Sequence, residues 1–199
     1  MARTAPWYLF PFYNANILVG ITGTALLILL TRSAHAAWFG AGTVCCTLAA
    51  KALKRLLRHP RPRPAGSPRP RTYGMPSTHT SAMAFQSLYL LLCSLSLSLS
   101  LSQSEPSASA TATAPPPLSS PNIPGARLLL PAAYAAYALG VARSRLWGGH
   151  HTLPQVLAGA AWGAVSAVCW WGLWRAWARE AVARPAVRLL SAWGVRLVM

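Results

Sequence analysis

The chain has 199 residues, of which 54% are hydrophobic and 10% charged, and its 18 Lys and Arg stand against 2 Asp and Glu for a formal charge of +16. Glu105 and Glu180 are the only carboxylates, which excludes a paired-carboxylate glycosidase, an aspartic dyad and a two-metal carboxylate cage. So many cations would suit nucleic acid, but a mean hydropathy of +0.36, nine Trp and a charged fraction well below the roughly 25% of soluble domains argue against it and for an integral membrane protein.

Apolar segments occupy residues 15–31, 37–57, 79–102, 127–143 and 153–177. Each approaches or exceeds the roughly 17 to 25 residues that a tilted helix needs to cross the hydrocarbon layer. Lipid offers no partner to an open strand edge, so the expected fold is all-α, a multi-pass transmembrane helix bundle of about five membrane-spanning helices. Pro6 and Pro11 precede the first segment and no small-residue cleavage site follows it, so it reads as a retained span. Cys45, Cys46, Cys93 and Cys169 lie inside apolar runs without a CxxC spacing and read as small buried hydrophobes.

Between the second and third segments, residues 58–76 (RHPRPRPAGSPRPRTYGMP) forbid helix and favour an extended loop. From Ser94 to Ser102 the sequence alternates SLSLSLSLS, the period of a strand. A lone strand in lipid would leave its backbone unsatisfied, whereas a helical serine can bond the carbonyl one turn back, so a helix is expected. Residues 103–126, rich in Ser, Ala, Thr and Pro, read as a disordered connection within a membrane domain spanning 1–178. The remainder, 179–199, is a basic amphipathic tail suited to an interfacial helix or to solvent.

Three polar clusters flank these segments, and the helix count puts all of them on one membrane face. Lys54 to Arg61 follows the second span, Pro76 to His79 opens the third, and Ser144 to Gln155 joins the fourth to the fifth. Lys51, Lys54, Arg55 and Arg58, at the end of a span, read individually as snorkelling anchors. His150 and His151 do not make a metal site, because adjacent histidines rarely share an ion and no carboxylate is available to join them. No metal and no cofactor is expected.

Taken together the spacings are more particular. KRLLRHPRP places six residues between Lys54 and Arg61-Pro62; PSTH runs from Pro76 to His79; SRLWGGHHTLPQ gives Ser144, Arg145, five residues, His151, three residues and Gln155. This ordered set resembles the type 2 phosphatidic acid phosphatase superfamily, with its motifs K-x6-RP, PSGH and SR-x5-H-x3-D. The resemblance implies that Lys54, Arg61 and Arg145 bind phosphate, joined by Ser77, Thr78 and the amides that open the third span. It further implies that His151 is the nucleophile, forming a phosphohistidine, and that His79 is the acid that protonates the departing oxygen and later activates water. Thr78 replaces the usual Gly, and Gln155 replaces the usual Asp. On a helix, positions four apart share a face, so the Gln155 carbonyl can still fix the tautomer of His151 but brings no negative charge.

Within the superfamily, Tyr73-Gly74-Met75-Pro76-Ser77-x-His79 together with His151-x3-Gln155 is similar to the dolichyldiphosphatases. That subfamily resemblance implies a metal-independent hydrolase of the endoplasmic-reticulum membrane. It would act on a polyisoprenyl diphosphate from the luminal side and support dolichyl phosphate recycling for protein N-glycosylation. The partners expected are a phosphorylated lipid and the bilayer, and not nucleic acid. Two other readings stand beside this one: a broader lipid phosphatase acting on phosphatidate or related monoesters, and a non-catalytic phospholipid-binding protein. With Lys54, Arg61 and Arg145 set aside, the remaining cations divide almost evenly between the two faces, so charge gives no orientation.

Overall fold

A computed structural model of the chain describes residues 12, 16–62, 72–103 and 126–192. The described residues outside the connections are helical. Helix α1 begins as a π-helix, Asn16–Gly23, and continues as Thr24–Thr31; α2 is Ala34–Leu57, α3 Thr78–Gln103 and α4 Ala126–Trp147. Helix α5, Leu153–Leu173, runs through a π-wound stretch, Trp174–Ala183, into α6, Arg184–Ala192.

Local sequence explains the breaks. Helix α2 stops at Arg58, which takes the left-handed conformation (φ 48°) while its amide bonds the Lys54 carbonyl at 3.0 Å. Pro60 and Pro62 follow and cannot resume the helix. Beyond Trp147 the chain turns through Gly148 and Gly149, and the φ of +64° at Gly149 is a conformation that a Cβ would disfavour. Serine-rich α3 is helical to Gln103, as the satisfied-backbone argument expects. Two of its hydroxyls bond backward as anticipated, Ser87 to the Met83 carbonyl at 2.8 Å and Ser96 to that of Cys93 at 2.9 Å.

Helix α3 is the hub, packing against α2, α4 and α5. Phe39, Phe85 and Tyr89 stack in its core with Cys46 and Ala167. Trp38 and Trp170 lie stacked 4.5 Å apart across the α2–α5 contact. Each indole N–H donates to the other residue's backbone carbonyl, at 3.3 and 2.9 Å, so both polar handles are satisfied inside an apolar layer. Leu26, Leu29, Val44, Leu48, Leu139 and Val165 point outward, where lipid is their solvent.

Among the described residues, three helices are long and apolar enough to cross a membrane: Ala34–Leu57, Thr78–Leu97 and Leu153–Leu189. The other two expected segments are also helices. The apolar part of α1, Gly20–Thr31, is short, and α4 is diluted by Tyr, Ala, Arg143 and Arg145. No break separates residue 178 from 179. The helix from Leu153 to Leu189 is 37 residues, about 55 Å at 1.5 Å per residue, so it outruns a hydrocarbon layer of about 30 Å. Its distal part carries Trp174, Ala178 and Ala183 onto Ala34 and Trp38.

Two of the cysteines correct the sequence expectation. Cys46 is buried and Cys93 half-buried, but Cys45 and Cys169 are exposed. In a membrane chain an apolar run has an outer face that meets lipid, so apolarity alone does not mean burial. The centre of the basic loop (63–71), most of the Ser/Ala/Pro-rich connection (104–125) and the end of the tail (193–199) lie outside the described residues.

Candidate active site

The two flanks of the basic loop are tied together. The Gly74 amide donates to the His59 carbonyl at 2.7 Å, and Arg61 donates through Nε to the Tyr73 carbonyl at 3.2 Å. Lys54, on the last turn of α2, is only 6% exposed. With Arg61, Lys51, Arg55, Thr72, Tyr73 and Thr78 it lines a cleft of about 360 Å³. Lys51 and Arg55, read from sequence as anchors, therefore belong to the cleft wall. Arg58 does not; it is exposed and bonds the Arg55 carbonyl at 3.3 Å.

The second cluster opens α3. Ser77 is fully buried, and its amide donates to the Gln155 backbone carbonyl at 3.1 Å. Its hydroxyl accepts from Thr80 at 3.1 Å, while its carbonyl takes the Ser81 amide and hydroxyl. Ser77 thus fastens α3 to α5, and Thr78 is the residue of the pair that reaches the cleft. The amides of the first α3 turn have no carbonyl one turn earlier and remain available as donors.

The third cluster folds back on itself. Arg145 is 6% exposed, its Nε donating to Ser144 Oγ and its terminal nitrogen to the Phe12 carbonyl, both at 3.3 Å. The amides of His150 and His151 return to the Arg145 carbonyl at 3.1 and 3.3 Å. His151 is buried, and its Nδ1 lies 3.2 Å from Gln155 Oε1. Arg145, His151, Lys54 and Arg61 all lie within electrostatic range of His79, so the structure brings all three clusters into one site.

That site is electropositive. Glu180, the one carboxylate among the described residues, pairs with Arg184 at 2.5 Å on the distal helix. Burial first, then Arg61 and Lys54, push the His151 imidazole down to about 4, against weaker opposing bonds to Gln155 and the Gly74 backbone. The ring is therefore neutral at physiological pH. Exposed His150 is also lowered, by burial, Arg145 and Arg61. Clustering buried cations is costly, and a bound oxyanion offsets that cost. No three His, Cys, Asp or Glu are grouped to hold a metal among the described residues. Beside the cleft, an apolar groove of about 440 Å³ runs between α1 and α2 with Lys51 on its wall, so the two cavities share that residue.

The sequence reading assigned no contact to His59 or Gly74. His59 lies in the basic run, and its ring Nδ1 is 3.0 Å from Gln155 Nε2 and 3.1 Å from the Pro60 carbonyl. Gly74 has no room for a Cβ, which would collide with the Gln155 amide. The spacing of His59, two before Arg61, carries no periodic signal that would have singled it out.

Among curated protein sequences, none matches the chain. The crystal structure of the first transmembrane PAP2-type phosphatidylglycerolphosphate phosphatase from Bacillus subtilis is similar over 89% of this chain and 82% of its own, with a TM-score of 0.58 and 16% identity, a likeness of fold. The PAP2 superfamily pattern matches residues 35–179, a stretch that takes in the cleft from Lys51 to Thr78 as well as Arg145, His151 and Gln155, and the chain belongs to that superfamily of phosphatases.

Proposed function

We propose that the protein is a metal-independent lipid diphosphatase that removes the terminal phosphate of a polyisoprenyl diphosphate. The observation that carries this reading is a neutral, buried His151 beside a cluster of cations, Lys54, Arg61 and Arg145. Phosphoryl transfer asks for cations on the equatorial oxygens, an in-line nucleophile and a proton for the leaving oxygen. Arg61 and Arg145 supply forked donors, and Lys54 supplies a point charge.

In this mechanism His151 holds its proton on Nδ1, against Gln155 Oε1, and attacks through Nε2. An N–P bond forms as the bridging P–O bond breaks, and His79, which takes up a proton once the anionic substrate offsets the surrounding cations, gives that proton to the departing lipid monophosphate. Water then attacks the phosphohistidine, loses a proton to His79, and releases inorganic phosphate. A phosphate leaving group is better than an alkoxide, which offsets the missing charge at Gln155. The groove that shares Lys51 with the cleft suits a single lipid chain, because its lining includes Ile21, Ile28, Val44 and Leu48. Following the subfamily resemblance, the reaction belongs to the endoplasmic-reticulum membrane, with the cleft facing the lumen.

The test is phosphate release by purified protein in detergent with EDTA, from dolichyl diphosphate and from phosphatidate. Faster release from the diphosphate, with an acid-labile phosphoprotein that His151→Ala abolishes, is the expected result. Release from phosphatidate alone would make the protein a monoester phosphatase, and release from neither would remove the enzymatic reading.

A further inference from the structure

The side-chain amide of Gln155 is fully buried and has all four of its hydrogen-bonding positions filled. Oε1 accepts from the Thr152 amide and faces His151 Nδ1, both at 3.2 Å. Nε2 donates to the Pro60 carbonyl at 2.7 Å and to His59 Nδ1 at 3.0 Å. Two of these partners cannot change role, since Thr152 N–H only donates and the Pro60 carbonyl only accepts. A flipped amide would set donor against donor and acceptor against acceptor at these two, so the backbone favours one orientation, and His59 takes the remaining Nε2 hydrogen.

That orientation dictates the protons on both histidines. His151 must carry its hydrogen on Nδ1 to meet Oε1, leaving the Nε2 lone pair free. His59 Nδ1 also lies 3.1 Å from the Pro60 carbonyl, but a hydrogen there would face the Gln155 amine and leave one of its buried hydrogens without an acceptor, so Nδ1 is left bare to receive it. We infer that His59 is a positioning residue that acts through Gln155 to hold His151 in its attacking tautomer, a neutral relay in the place where the family's usual carboxylate stands alone. The inference rests on the proposed nucleophilic role of His151.

The same contacts explain why the relay belongs to this loop. The His59 carbonyl accepts from the Gly74 amide, Arg61 two residues on donates to the Tyr73 carbonyl, and Gly74 leaves the space that the longer Gln side chain fills. The residue that orients the nucleophile also sets the segment carrying a phosphate-binding Arg.

The experiment uses full-length protein with ¹⁵N-labelled histidine in detergent, with long-range ¹⁵N–¹H spectra read beside kcat and KM. Wild type should show His151 as a single Nδ1–H tautomer. His59→Leu should give a tautomer mixture and lower kcat with little change in KM, by about 10- to 100-fold if His59 resembles other partners that orient a working histidine. His59→Asn, whose Oδ1 occupies the place of Nδ1, should restore the tautomer and most of kcat; His59→Gln, whose oxygen falls at the Nε2 place, should not. Should His59→Leu not fold, the Asn and Gln pair carries the test alone. A single Nδ1–H tautomer in both the Leu and Gln variants, or equal kcat for Asn and Gln, would overturn the inference. The spectra answer this even if wild type releases no phosphate from either lipid, an outcome that would instead strike the proposed function.

Discussion

The backbone of Ser77 is in contact with two points of α5. Its amide bonds the Gln155 carbonyl at 3.1 Å, and one helical turn further along, a Cβ on Gly159 would come 2.6 Å from the Ser77 carbonyl oxygen. Gly163, another turn on, is similarly closed off by the Ser81 carbonyl and the Phe85 amide. Helices in lipid gain their association from close packing of small residues, and here that packing aligns the start of α3 with the residue that orients His151.

Gly159→Ala is therefore expected to overpack this contact and cost about 1 to 3 kcal/mol, since the obstacle is backbone and cannot rotate away. Thermal unfolding in detergent measures the loss, and phosphate release should fall with it. Gly172→Ala on the same helix is the control. Nothing lies within 4 Å of its Cβ, so that variant should be neutral or slightly stabilising. Equal losses at the two positions would contradict the packing argument.

The second expectation concerns acid. His151 is held at about 4 by burial, Arg61 and Lys54, so the neutral form that the proposed mechanism needs persists well below the ordinary histidine range. The acid limb of kcat/KM that belongs to His151 should lie near that value. Arg61→Gln removes the leading charge, and the limb should move up toward 6.5, in addition to any loss of phosphate affinity. The sign for stability follows from the same shift. An unfolded chain takes up the proton near 6.5 that the folded one refuses, so His151 costs stability progressively as pH falls from there toward 4. An acid limb unmoved by Arg61→Gln would mean that Arg61 does not govern this ring.

Much of this was legible in the sequence, for reasons that also mark its limit. Long apolar runs predict helices because lipid allows little else, and the fixed gaps within 54–61, 76–79 and 144–155 made the three clusters recognisable as a set. The convergence of those clusters followed from counting crossings. What stayed hidden depends on contacts between elements far apart in the chain. His59 meets Gln155 across 96 positions, and no local pattern announces such a pair. The separation of Cys45 from Cys46 into outward and inward faces was equally unreadable, because both neighbours sit in apolar sequence and both surroundings are apolar. One signal was present and unread: Gly159 and Gly163 stand four apart, the spacing at which small residues let two membrane helices approach.

Arg145 provides the sharpest distinction between charge and geometry. Its guanidinium is fixed from two sides, by Ser144 Oγ through Nε and by the Phe12 carbonyl through a terminal nitrogen, each at 3.3 Å. Its own carbonyl collects the His150 and His151 amides, so the backbone that shapes the GGHH turn is that of a proposed phosphate ligand. Lysine would keep the positive charge and that carbonyl, but a single ammonium cannot meet both anchors while presenting a forked pair of donors to an oxyanion. Arg145→Lys should therefore leave the melting temperature close to wild type while raising KM and the inhibition constant of inorganic phosphate, each by about tenfold or more, the 1.4 kcal/mol scale of one good charged hydrogen bond. Arg143→Lys, at an exposed position two residues earlier on the same helix, should change neither constant. If Arg145→Lys instead bound phosphate as wild type does, charge alone would suffice, and the anchoring of the guanidinium would have no part in substrate recognition.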